Sequence, residues 1–112
     1  MSKDDVRVRH MLDAARKAIA LARGRTRSDL DHDETLVLAL TRLLEVLGEA
    51  AKAVSEATRR REAGIAWKGI AGTRDRLIHG YFDVDLDIIW EIITTDLPPL
   101  AGSLEQLLAR GS

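Results

Sequence analysis

Apolar residues recur at three- and four-residue spacing along most of this chain, and no run alternates with the period of two of a half-buried strand. The first stripe is Met11, Leu12, Ala15, Ile19 and Ala22, which predicts a helix from about Asp4 to Ala22 with Gly24 as its C-terminal cap. Arg25 to Leu30 reads as a polar connection. A long second helix is expected from about Asp31 to Thr58. Asp31-His32-Asp33-Glu34 opens it as a capping box, with Asp31 as N-cap. Leu36, Leu40, Leu43, Leu47, Ala50 and Val54 give it a heptad-like seam, and Arg42, Glu45, Glu49, Lys52 and Glu56 a polar flank. Gly48 interrupts the bulky positions. Either another backbone approaches closely there, or the glycine is simply tolerated at a cost of about 1 kcal/mol.

Arg59 to Gly64 reads as a charged loop. A third helix is expected from about Ala66 to His79, with Gly80 as a left-handed cap and a short turn from Tyr81 to Val84. Asp83 or Asp85 would cap a fourth helix carrying Leu86, Ile89, Trp90 and Ile93. Pro98-Pro99 should break or kink it, because proline lacks the amide donor. Leu100, Leu104, Leu107 and Leu108 continue as a last short helix. The expectation is one all-α domain over residues 1–112, an antiparallel four-helix bundle with a kinked or broken last helix.

Composition narrows the function classes. A chain of 112 residues holds one core. It has no cysteine, which excludes disulfides and thiolate metal sites. Nothing resembles a signal peptide or a membrane span, so a cytoplasmic protein is expected. The formal charge is -1, against the basic excess usual in nucleic-acid binders. A local basic site remains open at Arg59-Arg60-Arg61 with Lys52 and Lys68; the alternative is a solvated charged face. Walker, dinucleotide and zinc patterns are absent. Asp83, Asp85 and Asp87 suit helix caps and first-turn charges better than a metal loop. Neither a metal nor a cofactor is expected.

The candidate chemistry lies in Arg74-Asp75-Arg76-Leu77-Ile78-His79-Gly80-Tyr81, which holds one of three histidines and the single tyrosine. An arginine can clamp a phosphate, and a histidine can move a proton near neutral pH. At about 100° per residue, Trp67, Ile70, Ala71, Leu77 and Ile78 fall within about 60° of Arg74. Arg74 is therefore expected in the apolar arc, where it needs a carboxylate, a partner chain or an anionic ligand. Asp75 and His79, four residues apart, would share one flank, so that Asp75 orients the imidazole. His79 would sit at a helix C-terminus, where the dipole favours imidazolium. The structural alternatives are an ion pair of Arg74 with Glu45 or Glu49, a C-cap role for His79 and a rim position for Tyr81. His10 and His32 read as surface residues.

Arg74-x4-His79-x-Tyr81, with a polar residue after the arginine, resembles the Rx4-6HxY signature of HEPN domains. Gly48-Glu49-Ala50, Trp67, His79-Gly80-Tyr81-Phe82 before aspartates, and Ile88-Ile89-Trp90 leading to Asp96-Leu97-Pro98 are similar to the HepT-like branch. The likeness runs from about His10 to Leu108. It implies a homodimeric helical bundle, with the motif near the dimer interface, acting as a metal-independent endoribonuclease toxin on RNA. It makes Arg74 and His79 the catalytic pair and Asp75 a supporting residue, where asparagine is more usual. It makes Tyr81 the site of modification to O-AMP-tyrosine by an MNT-type nucleotidyltransferase antitoxin. Control by occlusion is the other form that such a pair could take. A non-catalytic HEPN module that binds a nucleotide or RNA is the alternative function.

Overall fold

The computed structural model describes residues 2–79 and 83–110. The expectations for Gly80 as a cap, for Tyr81 and for Phe82 lie outside these residues. The described residues are helical and contain no strand, only an isolated bridge between Ile78 and Val84. The protein is all-α, as its periodicity predicts.

Helix α1 spans Lys3–Ala22. Ser2 caps it by accepting from the Asp5 amide, and Asp5 reaches back to the Ser2 amide. Its inner face is Val8, Met11, Leu12, Ala15, Ala18 and Ala22, and Gly24 takes the left-handed conformation that glycine alone adopts cheaply (φ 77°). The expected polar connection is in fact a 3-10 turn, Arg27–Asp31, that buries Leu30.

Helix α2 spans Glu34–Ala53 and is shorter than predicted at both ends. Its N-cap is Asp33, which accepts from the Leu36 amide at 3.0 Å. Asp31 cannot cap it because the 3-10 turn consumes that residue, whose carboxylate pairs with Arg27. The buried line is Leu36, Leu40, Leu44, Leu47 and Ala51, with Leu43 and Ala50 only partly buried. A straight helix drifts off a strict seven-residue seam in this way. At the far end Ser55 stops α2 and caps a new helix, α3 (Glu56–Arg61). The predicted charged loop therefore begins as helix.

Ser55 is held from a distance. Its amide donates to Asp4 Oδ1 at 2.9 Å, and the Thr58 hydroxyl donates to Asp4 Oδ2 at 2.6 Å. A hydrogen bond from the Ser55 hydroxyl, then those from the Thr58 hydroxyl and the Ser55 amide, hold the Asp4 carboxyl below its ordinary value near 3.8. After α3, Trp67 is buried and donates its indole N–H to the Glu62 carbonyl at 3.0 Å. Glu62 also pairs with Arg110 at the end of the chain.

The expected third helix is two short ones, α4 (Trp67–Ala71) and α5 (Thr73–Leu77), interrupted at Gly72. Helix α6 (Leu86–Glu91) is capped by Asp85, one of the two predicted caps. It runs through a π-helical segment, Ile92–Asp96, into α7 (Leu97–Ala109). The Leu97 amide donates to the Ile92 carbonyl, five residues back. The widened register meets Pro98 and Pro99 just inside α7, where a missing amide costs little. Helix α1 packs against α2 and α7, and α2 seats α4 and α5.

The α2–α4 contact depends on Gly48. A Cβ there would lie 3.1 Å from the Ile70 carbonyl oxygen and 3.6 Å from that of Ala71. The close-approach reading of Gly48 is the one realised. Gly102 in α7 has nothing within 4 Å of such a Cβ. Gly102→Ala should therefore raise the melting temperature through the usual helix gain of about 1 kcal/mol. Gly48→Ala should lower it, and equal rises in both would contradict the close contact.

The unfolded chain protonates Asp4 near 3.8, the folded chain only at lower pH. The stabilisation is thus complete above that value and is lost as pH falls through the lowered one. Urea stabilities of the native chain and Asp4→Asn should differ at neutral pH and converge below about pH 4. A constant gap down to about pH 2 would contradict the contact.

Candidate active site

Arg74 and His79 straddle the end of α5. Arg74 stands in the helix, but not in an apolar arc: its side chain is 63% exposed. The break at Gly72 resets the helical phase counted from Trp67. The inward positions of α5 go to Thr73 and Leu77, both buried and four residues apart. Arg74 Nε lies 3.7 Å from Oε2 of Glu45 on α2. One of the two carboxylates considered as structural partners is thus its neighbour.

His79 is not on the helix. Helix α5 ends at Leu77 and Ile78 is extended. The His79 amide donates to the Asp83 carbonyl at 2.8 Å, and the Asp85 amide to the Leu77 carbonyl at 2.8 Å. Residues 77–79 and 83–85 are thereby clasped antiparallel. The expected flank shared by Asp75 and His79 does not form, nor does His79 occupy the last helical turn. Among the described residues, the carboxylate within ion-pair range of His79 is Asp85, with Oδ2 3.6 Å from Nε2. Asp75 is exposed on α5.

Asp85 is the residue that sequence reasoning missed in this role. Capping chemistry marked it, and its Oδ1 does accept from the Ile88 amide at 3.0 Å. Its second oxygen reaches His79 only because the chain reverses between residues 77 and 85, which helical spacing does not encode. The other aspartates of the run are also accounted for. Asp83 gives its carbonyl to the clasp, and Asp87 accepts from Arg27 Nε at 2.7 Å, which pins the 3-10 turn to α6. That carboxylate and Asp31 raise the Arg27 pKa above its ordinary value. The described residues hold no group of three or more His, Asp or Glu side chains arranged for a metal ion.

Neither pair is closed. Separations of 3.6 and 3.7 Å fall within ion-pair range but beyond a good hydrogen bond. The guanidinium keeps free donors in a planar fork suited to a phosphate. The His79 side chain is 55% exposed, open to a reacting group. A groove of about 390 Å³ between α4, α5 and the π segment has an apolar lining that includes Ile70, Leu97 and Leu100, with Arg76 and Asp96 also lining it. Neither Arg74 nor His79 lines it.

A family model described as "Ribonuclease HepT-like" matches residues 11–107. The chain belongs to the HepT-like ribonuclease family. It is 37% identical over 101 residues to the candidate RNase TTE0752 of Caldanaerobacter subterraneus subsp. tengcongensis, covering 90% of each chain. It is 39% identical over 75 residues to "Probable ribonuclease HepT" of Thermococcus cleftensis, covering 67% of this chain and 68% of that one. It is 33% identical over 110 residues to the candidate RNase MJ0127 of Methanocaldococcus jannaschii, covering 96% and 91%. No solved structure matches the chain. The HepT-like assignment agrees with the all-α fold and places the chain among ribonucleases.

Asp85 separates two roles by substitution. Asp85→Ala should cost about 1 kcal/mol by removing a helix cap, while Asp85→Asn keeps an oxygen acceptor and most of that stability. RNA cleavage should fall in both variants, because both remove the charge facing His79. Full activity in Asp85→Asn would leave Asp85 as a cap alone.

Proposed function

We propose that this HepT-like chain is a metal-independent endoribonuclease in which Arg74 and His79 carry out the cleavage. The observation that carries the reading is the pair of exposed, loosely held side chains at the end of α5, on a chain of this family. The RNA 2'-hydroxyl attacks the adjacent phosphorus. One P–O bond forms to the 2'-oxygen, and the bond to the 5'-oxygen breaks. The 2'-hydroxyl proton leaves to a base, and the departing 5'-oxygen takes one up. His79 serves one of these transfers, a contribution of about 10²–10⁴-fold. Arg74 leaves Glu45 for the phosphoryl oxygens and stabilises their charge. One imidazole per chain covers one transfer, so a homodimer with two motifs facing each other would cover both. Asp75, the residue after Arg74, supports the pair only through its charge, since Asp85 faces His79.

The reading extends to control. The enzyme is the toxin of a HEPN/MNT pair in the cytoplasm, neutralised by a nucleotidyltransferase antitoxin. AMP transfer to Tyr81 would add bulk and negative charge beside the residues that receive the phosphate. Its support is the motif spacing, which puts the tyrosine two residues after His79.

Purified chain incubated with RNA in EDTA should cleave it, and His79→Ala and Arg74→Ala should each lose about 10²-fold or more. RNA bound but left intact by the native chain would replace the ribonuclease with a binding module. Co-expression with an active neighbouring nucleotidyltransferase should shift the mass of the Tyr81 peptide by one AMP. An unshifted peptide in a neutralised pair would replace modification with occlusion.

A further inference from the structure

The arginine-rich stretch that the sequence offered as a basic site is neutralised in part: among the described residues Arg59 and Lys68 have no carboxylate within ion-pair distance, but the other three cations do. Arg60 pairs with Glu56 at 2.6 Å, Arg61 with Glu62 at 3.4 Å, and Lys52 with Glu49 at 3.7 Å. A closer gathering of unpaired cations lies in an open groove of about 600 Å³ between α1 and α2. Lys3, Arg7 and His10 enter it from α1, spaced so that they share one helix face. Arg42 enters from α2 with Val46 and Ala50. Among the described residues, neither Lys3 nor Arg7 nor Arg42 has a carboxylate within ion-pair distance. Glu49 is the one acid in the lining, and Lys52 engages it. The nearby Asp4 carboxylate is taken up by Ser55 and Thr58. The Arg7 charge still acts on Asp4, but Lys3, Arg7 and Arg42 outnumber Asp4 and Glu49 there, a local excess of positive charge in a chain of formal charge -1.

The groove adjoins the candidate active site through α2. Arg42 precedes Glu45, the carboxylate beside Arg74, by three residues, so their side chains are neighbours on one face. A polyanion whose phosphate sits at Arg74 therefore meets Arg42 next and the cations of α1 beyond it. We propose that the α1–α2 groove binds backbone phosphates of single-stranded RNA flanking the scissile position, with Lys3, Arg7 and Arg42 as its contacts. The proposal rests on the ribonuclease reading of Arg74 and His79. A strand fits better than a compact nucleotide, because the cations are spread along two helices and the groove is open to solvent.

The test is the salt dependence of binding by the full chain carrying His79→Ala, so that RNA stays intact. A short fluorescent single-stranded RNA of mixed sequence is titrated across a range of salt concentrations. Each phosphate contact contributes about 0.7 to the slope of log K against log salt. Adding Arg7→Ala and Arg42→Ala should flatten the slope by about 1.4. Adding Arg16→Ala and Arg60→Ala, at exposed arginines that are paired elsewhere, should leave it unchanged. Glu49→Gln should tighten binding by about twofold or more, a gain that misfolding cannot imitate. An unchanged slope with RNA still bound overturns the groove and spares the ribonuclease reading. So does an unchanged slope with a smaller assembly by light scattering, which would make the groove a contact between copies. Failure of the native chain to bind or cleave RNA at any salt overturns both.

Discussion

Backbone meets backbone where α2 crosses the start of the motif segment, and the placement of Arg74 and His79 depends on that contact. Gly48 leaves room for the carbonyl of Ile70, 3.1 Å from where a Cβ would stand. A side chain there would press on that carbonyl and so on α4, which leads directly into α5. The contact also sets register. Glu45 lies three residues before Gly48, and at that spacing it meets Arg74 on the neighbouring helix. Trp67 secures the near end of the segment through Glu62, and the clasp between residues 77–79 and 83–85 secures the far end.

That frame holds Arg74 and His79, the proposed catalytic pair, without satisfying either side chain. Buried ion pairs stabilise poorly against their desolvation, and a tight pair at Arg74 would compete with any phosphate. Here the partners of Arg74 and His79 are both carboxylates at more than hydrogen-bond distance, and both side chains are more than half exposed. Asp85 combines two tasks in one side chain, capping α6 with one oxygen and facing His79 with the other. The position of the imidazole is thereby tied to where the last helical rod begins. The π-helical segment within that rod lets the chain pass two prolines while remaining helical.

The sequence made the helical class, α1 and the close approach at Gly48 legible, because each follows from local periodicity or from one residue's size. The motif residues were legible as chemistry but not as geometry. Phase counting assumes an unbroken helix, and Gly72 breaks it, so Arg74 moved from the expected apolar arc to solvent. His79 left the helix altogether, and its carboxylate became Asp85, six residues on, instead of Asp75. Asp4 capturing Ser55 and Thr58 was equally hidden, since it joins residues more than fifty positions apart and ends α2 early. Local patterns carry no record of such pairings. At the basic stretch Arg59 to Arg61 the solvated charged face fits better than a basic site, because acidic neighbours in sequence pair with Arg60 and Arg61.

The role proposed for Arg74 and His79 is to promote attack by the RNA's own 2'-hydroxyl, and the chemistry of the cut ends tests that most directly. Mass spectrometry of RNA fragments produced by the purified chain should find a cyclic or 2'/3'-phosphate on one side of each cut and a 5'-hydroxyl on the other. Fragments ending in a 3'-hydroxyl and a 5'-phosphate would mean that water, not the 2'-hydroxyl, attacks phosphorus, and would contradict the roles assigned to both residues.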